Sequence, residues 1–261
     1  MLLFEHDAVK VALASGVATV TIDRPPVNAL NMELVGALNE AVAAAVRSPD
    51  ARSIVITGTE TRFVAGADIK MLAQSGRQSA AEFSRVIQET FNMIEAAPKP
   101  TIAVINGDAL GGGLELALAC DVRFAASEVR LGLPEIRLGL VPGAGGTQRL
   151  TEAIGRPRAL EMLLTGTPIQ ASQALTLGLV NGVFDRVDLA EAAYEWAMSL
   201  SSGPPLAYAA AKACVRTGLT AGRERGFSEE ITSLESLIES ADGREGIAAF
   251  LEKRAPSFGG H

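Results

Sequence analysis

Gly111-Gly112-Gly113-Leu114-Glu115, with Pro134-Glu135 placing a second acid twenty positions after the first, is the stretch from which both fold and chemistry are read. Three glycines entering the apolar run Leu114 to Ala119 let backbone N–H groups approach a ligand closely. No Cβ intervenes, and the first-turn donors of a helix lack intrahelical partners. The pattern outlines an oxyanion site. It is also what close helix–sheet packing asks for, and a Glu in a first turn is favoured by the helix dipole with no further role. The only histidines, His6 and His261, stand at the two ends of the chain, so acid–base work falls by elimination on carboxylates, Lys or Tyr.

Working outward, 261 residues at 48% hydrophobic content suffice for one sizeable core with an appendage, or for two modest domains. A net charge of −7 offers no broad footprint for nucleic acid or an anionic membrane, so neither is an expected partner. Met1-Leu2-Leu3-Phe4 is too short for a signal segment and is followed by Glu5 and Asp7, which leads to an expectation of a cytoplasmic protein. Cys120 and Cys214 lie in apolar helical stretches without CxxC spacing and read as buried thiols. No apolar run approaches the eighteen residues needed to span a membrane.

Val9 to Ala14 and Val17 to Ile22 are β-type runs split by Ser15-Gly16, hence a hairpin. Asn31 then precedes Leu34, Val35, Leu38, Val42 and Val46, spaced as one face of a helix. Ser53 to Thr57 reads as a strand, Arg62 to Lys70 as a loop, and Ala81 to Ala96 as a helix closed by Pro98 and Pro100. Thr101 to Ile105 and Val122 to Ala125 read as strands around a helix from Gly111 to Cys120. A helix opens at Gly143-Ala144-Gly145-Gly146 and runs through Ile154, and Ala159 to Leu164 is helical. This alternation predicts an α/β core. From about Leu189 strand signals vanish. A helix is expected from Ser228, and Asp242 with Glu245 resembles a capping box for the last one. Apolar faces on a helical C-terminal third with little core of its own point to packing against another subunit.

Several motifs fail. Gly143 and Gly145 fit two places of GxGxxG but the third is Gln148, and there is no GxxxxGK[ST], GxSxG or HExxH. Four pieces remain, in this order: Phe63-Val64-Ala65-Gly66-Ala67-Asp68-Ile69-Lys70; Asn106-Gly107 with Gly111 to Glu115; Leu133-Pro134-Glu135; and Pro142 to Leu150. With these, the chain resembles the enoyl-CoA hydratase/isomerase, or crotonase, family from its opening hairpin to Glu252-Lys253-Arg254, and among its members looks most like a hydratase.

That resemblance implies a crotonase-like spiral of repeated β-β-α units over residues 1–195 and a helical C-terminal region over 196–261 that builds homotrimers, usually stacked as a dimer of trimers. It implies that the amides of Ala67 and Gly112 receive the thioester oxygen, where two fixed donors stabilise enolate charge. Glu115 and Glu135 match the acids that hold the water. No metal or separate cofactor is expected, because coenzyme A arrives as part of an acyl-CoA substrate. Lys70 matches a CoA contact, Ala65, Asp68 and Ile69 share its segment, and Pro26 and Val27 line the same cleft. Phe250 and Lys253 match positions reaching the adenosine of CoA on a neighbouring subunit, although the Lys-rich tail is short here. Asp108 departs from the family pattern and is either an influence on acyl preference and on Glu115 or an exposed turn residue. Hydration of a 2,3-enoyl-CoA is the first expectation, Δ3,Δ2-isomerisation or another acyl-CoA lyase reaction the second. The third, a non-catalytic RNA-binding or scaffolding trimer, is disfavoured by the acidic charge.

Overall fold

Alternate residues of Val9–Ala14 are buried, and this strand (β2) pairs in antiparallel register with Val17–Ile22 (β3), Val11 facing Val20. The hairpin therefore starts and stops where its pattern placed it. The computed structural model describes all 261 residues. It adds a strand at the N-terminus, Leu2–His6 (β1), antiparallel to β2, so the short apolar start of the chain is a sheet edge. From β3 the sheet turns parallel through Ser53–Gly58 (β4), Thr101–Ile105 (β5), Val122–Ala126 (β7) and Gly182–Phe184 (β10), giving seven strands in the order β1-β2-β3-β4-β5-β7-β10. Every residue of β5 is buried, as expected of a strand covered on both faces.

Asn31 caps the first helix, α1 (Met32–Arg47), by accepting the Leu34 N–H at 2.9 Å, and Leu34, Val35, Leu38 and Val42 bury the predicted face. Each such side chain contributes about 1.5–3 kcal/mol when fully buried. A short helix, α2 (Ile69–Gln74), leads to α3 (Arg77–Glu95), which buries Phe83, Ile87, Phe91 and Ile94 against the core.

A second, three-stranded sheet positions the functional segments. Ala109–Leu110 (β6) runs parallel to Arg130–Gly132 (β8), which is antiparallel to Ile169–Gln170 (β9). β6 runs directly into α4 (Gly112–Leu118), and β8 into a 3-10 turn over Pro134–Leu138. Parallel bridges also join Val64 to Ala109 and Leu30 to Ala67. Four chain segments thus run side by side and deliver their C-terminal ends to one place. That is how acids far apart in sequence meet.

The remaining helices are α5 (Gly146–Ile154), α6 (Arg156–Thr165), α7 (Ala171–Thr176), α8 (Arg186–Ser201), α9 (Pro205–Ala221), α10 (Arg223–Glu239) and α11 (Ala241–Glu252). α8 lies on the main sheet with Leu189, Ala193 and Ala197 buried, and residues 195 and 196 fall within it. α9 to α11 bury little and leave Leu219, Phe227, Ile231, Leu234 and Ile238 exposed. Two local expectations are corrected. α10 begins at Arg223, after the positive-φ Gly222, five residues before Ser228. The last helix is capped by Ser240, which accepts the Gly243 N–H at 2.9 Å; Asp242 is buried and accepts N–H bonds from Gly259 and Gly260, tethering the C-terminal tail.

Candidate active site

Of the three glycines that open α4, each has a different neighbour. A Cβ on Gly113 would stand 1.8 Å from the Val64 carbonyl oxygen, so this position is a packing contact with the neighbouring segment. Gly111 has φ +53°, and a Cβ there would stand 2.8 Å from Glu135 Oε1. The run thus serves packing and the site together. Gly112, the first residue of α4, has no acceptor within the helix, and neither its N–H nor that of Ala67 donates to any protein atom. The Ala67 nitrogen lies 3.9 Å from where a Cβ on Gly112 would sit, so the two residues are close neighbours. On either side of Ala67 the backbone is fixed: Leu30 N–H donates to the Gly66 carbonyl and Asp68 N–H to the Leu30 carbonyl, each at 2.8 Å.

Ala67, Gly112, Glu115 and Glu135 line a single cavity of about 210 Å³. Its remaining walls are mostly apolar: Leu72, Ala80, Phe83 and Ile87 from α2 and α3, and Leu140 and Val141 after the 3-10 turn, with Ser84 the one polar side chain among them. None of these was singled out in the sequence. The i, i+3, i+4 spacing of Ala80, Phe83, Ser84 and Ile87 was the available signal, but it reads equally well as an ordinary core face.

Glu115 is 3% exposed. Its Oε1 accepts N–H bonds from Ala144 at 2.8 Å and Gly146 at 2.7 Å, supplied by the glycine-rich turn that opens α5. Burial raises its pKa, opposed by those two amides and by the charge of Arg149. Glu135 stands on a 3-10 turn with Pro134 at its start, and its Oε2 is buried with no partner. Burial lifts its pKa to about 7, and the neighbouring Glu115 charge pushes the same way. A desolvated carboxyl that titrates near neutrality, beside a second one held by fixed donors, is an acid–base pair in outline.

The family model for enoyl-CoA hydratase/isomerase matches residues 12–261. This chain belongs to the enoyl-CoA hydratase/isomerase family. It is 39% identical over 243 residues to a crotonyl-CoA hydratase of Syntrophomonas wolfei, covering 92% of this chain and 94% of that one. It is 40% identical over 245 residues to the 2,3-dehydroadipyl-CoA hydratase of Escherichia coli, covering 94% and 95%. An enoyl-CoA hydratase structure from Bacillus anthracis superposes with a TM-score of 0.93 at 37% identity, covering 98% of this chain and all of that one. The spiral α/β architecture of this family member is therefore the crotonase fold.

The other residues singled out from sequence lie at the rim or away from it. Ala65 N–H donates to the Val27 carbonyl at 3.1 Å, which sets Pro26 and Val27 beside the Ala65 segment, and Val27, Ile69 and Lys70 are exposed there. Asp68 is engaged internally: it caps α2 through the Lys70 and Met71 amides and pairs with Arg24 at 3.1 Å, interactions that hold its carboxyl below the usual range. Its side chain thereby braces the segment carrying the Ala67 amide. Asp108 is not in the cavity. It binds the Arg130 guanidinium at 2.6 Å and the Arg130 N–H at 2.8 Å, a turn ion pair between β6 and β8, and it is not among the groups that shift Glu115. Phe250 is 83% exposed on α11 and Lys253 ends that helix; within one chain neither reaches the cavity. Burial pushes the Cys120 thiol up to about 12, consistent with an inert core thiol.

Proposed function

We propose that this protein is an enoyl-CoA hydratase, adding water reversibly and in the syn sense across the 2,3 double bond of an enoyl-CoA in fatty acid degradation or a related route. The single observation that carries the proposal is the convergence of two unpartnered backbone N–H groups and two desolvated carboxyls on one apolar-walled cavity. The thioester oxygen accepts from Ala67 and Gly112, so negative charge arriving there as an enolate meets fixed donors, each typically contributing ~10²–10³ in rate. Glu115, held by two N–H bonds on Oε1, takes a proton from water as the water oxygen bonds to C3. Glu135, protonated over much of the neutral range, delivers a proton to C2 as the enolate collapses. The two carboxyls end with their charges exchanged, and transfer of one proton from Glu115 to Glu135 restores the start. Names of relatives such as crotonyl-CoA hydratase support this chemistry.

Lys70 at the rim is assigned to the CoA phosphates. The exposed apolar ridge of α9 to α11 is assigned to a homotrimer or a dimer of trimers, in which Phe250 and Lys253 face CoA on a neighbouring subunit. No helix is long and apolar enough to cross a membrane. A cytoplasmic location is part of the same proposal.

A second reading, Δ3,Δ2-isomerisation, has one observation in its favour: the Glu135 carboxyl, near neutrality and with a free oxygen, suits a lone proton shuttle. Absorbance at the enoyl-thioester band with crotonyl-CoA, a longer 2-enoyl-CoA and a 3-enoyl-CoA separates the two. Hydration of the 2-enoyl substrates is expected, and turnover of the 3-enoyl substrate alone would replace the first reading by the second. No turnover of any of them would leave the non-catalytic scaffold.

A further inference from the structure

The turn that presents its amides to Glu115 is itself gripped from outside. Ala144 donates its N–H inward to Glu115 Oε1, while its carbonyl accepts from Arg149 Nη1 at 3.1 Å. The guanidinium, only 10% exposed, spends its other donors on α3: Nε and Nη2 reach Glu95 Oε2 at 2.9 and 2.7 Å, and Nη2 reaches Asn92 Oδ1 at 2.6 Å. One residue earlier, the Gly143 carbonyl accepts from Gln88 Nε2 at 2.8 Å and from Ser84 Oγ at 2.6 Å. Ser84, Gln88, Asn92 and Glu95 fall at i, i+4, i+8 and i+11, a single stripe along α3. The stripe clamps both outward carbonyls of a turn whose inward amides fix the carboxylate.

A planar fork is suited to this task. It can satisfy a carbonyl, a carboxylate and an amide oxygen at once in a fixed plane, which a lysine ammonium on a flexible stem cannot do. A glycine-rich turn has little stiffness of its own, so the orientation of Ala144 and Gly146 depends on what holds its outer face.

We infer that Arg149 is a positioning residue for Glu115, fixing through the Ala144 peptide and the Glu95–Asn92 end of α3 the direction in which the Glu115 carboxyl meets water. The inference rests on the hydratase reading. Misplacing a reacting group by about 1 Å costs on the order of 10²-fold in rate, so Arg149→Met is expected to lower kcat about 10- to 100-fold. KM for crotonyl-CoA should stay within about twofold, since the guanidinium does not line the cavity. Arg149→Lys should fall between wild type and Arg149→Met, whereas Glu95→Gln, which keeps an acceptor for the fork, should remain near wild type.

The deciding measurement is a double-mutant cycle on crotonyl-CoA hydration with the full-length protein. Gln at position 115 keeps an oxygen for the two amides but not the base. Arg149→Met should therefore lower the residual kcat of Glu115→Gln by less than about threefold, because the two act as a unit. A merely structural role would carry the full factor into that background. If Arg149→Met does not fold, Glu95→Ala, which strips the fork of its carboxylate, takes its place in the cycle with an expected loss of about 5- to 10-fold and the same non-additivity. A folded variant with kcat within threefold of wild type, or an equal factor in both backgrounds, overturns this inference alone. A wild-type protein without hydratase turnover overturns it together with the function on which it rests.

Discussion

Glu135→Gln should abolish most activity and yet make the protein more stable above neutral pH. The native carboxyl titrates at about 7, against 4.5 for the ordinary carboxyl, because burial disfavours its charged form. A folded pKa raised above the unfolded one means that the native state holds more protons than the unfolded chain between those two values. Stability therefore falls as pH rises through this window. The contribution is fully present below about pH 4.5 and is lost above about pH 7. At ~1.36 kcal/mol per pH unit the interval from 4.5 to about 7 sets a ceiling of about 3 kcal/mol. The side chain is only partly buried, and solvent screening reduces this to about 1–2 kcal/mol. Gln is nearly isosteric with the protonated acid and carries no such slope. Paired thermal melts of the two proteins at equal concentration should agree near pH 5 and separate by pH 8.5, the variant melting about 2–8 °C higher. In the same samples kcat should fall at least ~10²-fold, since the variant has no proton to deliver. A melting difference that is flat from pH 5 to 8.5 would refute the desolvated carboxyl, and an active variant would refute its role.

Glu115→Gln should likewise lower kcat at least ~10²-fold in crotonyl-CoA hydration, and the double variant with Glu135→Gln should be far from additive; hydration that survives Glu115→Gln unchanged would end the hydratase mechanism. Gly113→Ala places a methyl 1.8 Å from the Val64 carbonyl oxygen, with backbone on both sides, so it should cost about 3 kcal/mol or more in urea unfolding even though the residue carries no chemistry. Lys70→Ala should raise KM for CoA esters with kcat little changed, and more so at low ionic strength, where surface charges are least screened; a KM insensitive to the substitution at low salt removes Lys70 from the site.

What could be read from sequence follows the range of the interactions involved. The bounds of β2, β3 and β5 are legible to the residue because alternation or unbroken burial is a local property of a strand, and the start of α1 because Asn31 caps it from within the same turn. Strands β6, β8 and β9 span only two or three residues and exist by virtue of partners elsewhere in the chain, so no window of sequence announces them. The same division separates Asp242 from its apparent capping box: the local pattern fits, but the Gly259 and Gly260 amides, brought back by the fold, compete successfully for its carboxylate. Glu115 and Glu135 lie between these cases. Nothing local distinguishes Glu135 from a solvated acid after a proline. What sets it apart is that β6 and β8 run parallel, with Gly111 N–H donating to the Gly132 carbonyl at 2.9 Å, so the residues following the two strands line one cavity in which Glu135 Oε2 is buried without a partner. The motif order exposed that pairing through the resemblance. The clamp on the 143–146 turn stayed hidden for the same physical reason, because Gln88, Asn92, Glu95 and Arg149 look like solvated polar positions on two separate helices until tertiary packing sets the fork of one against the stripe of the other.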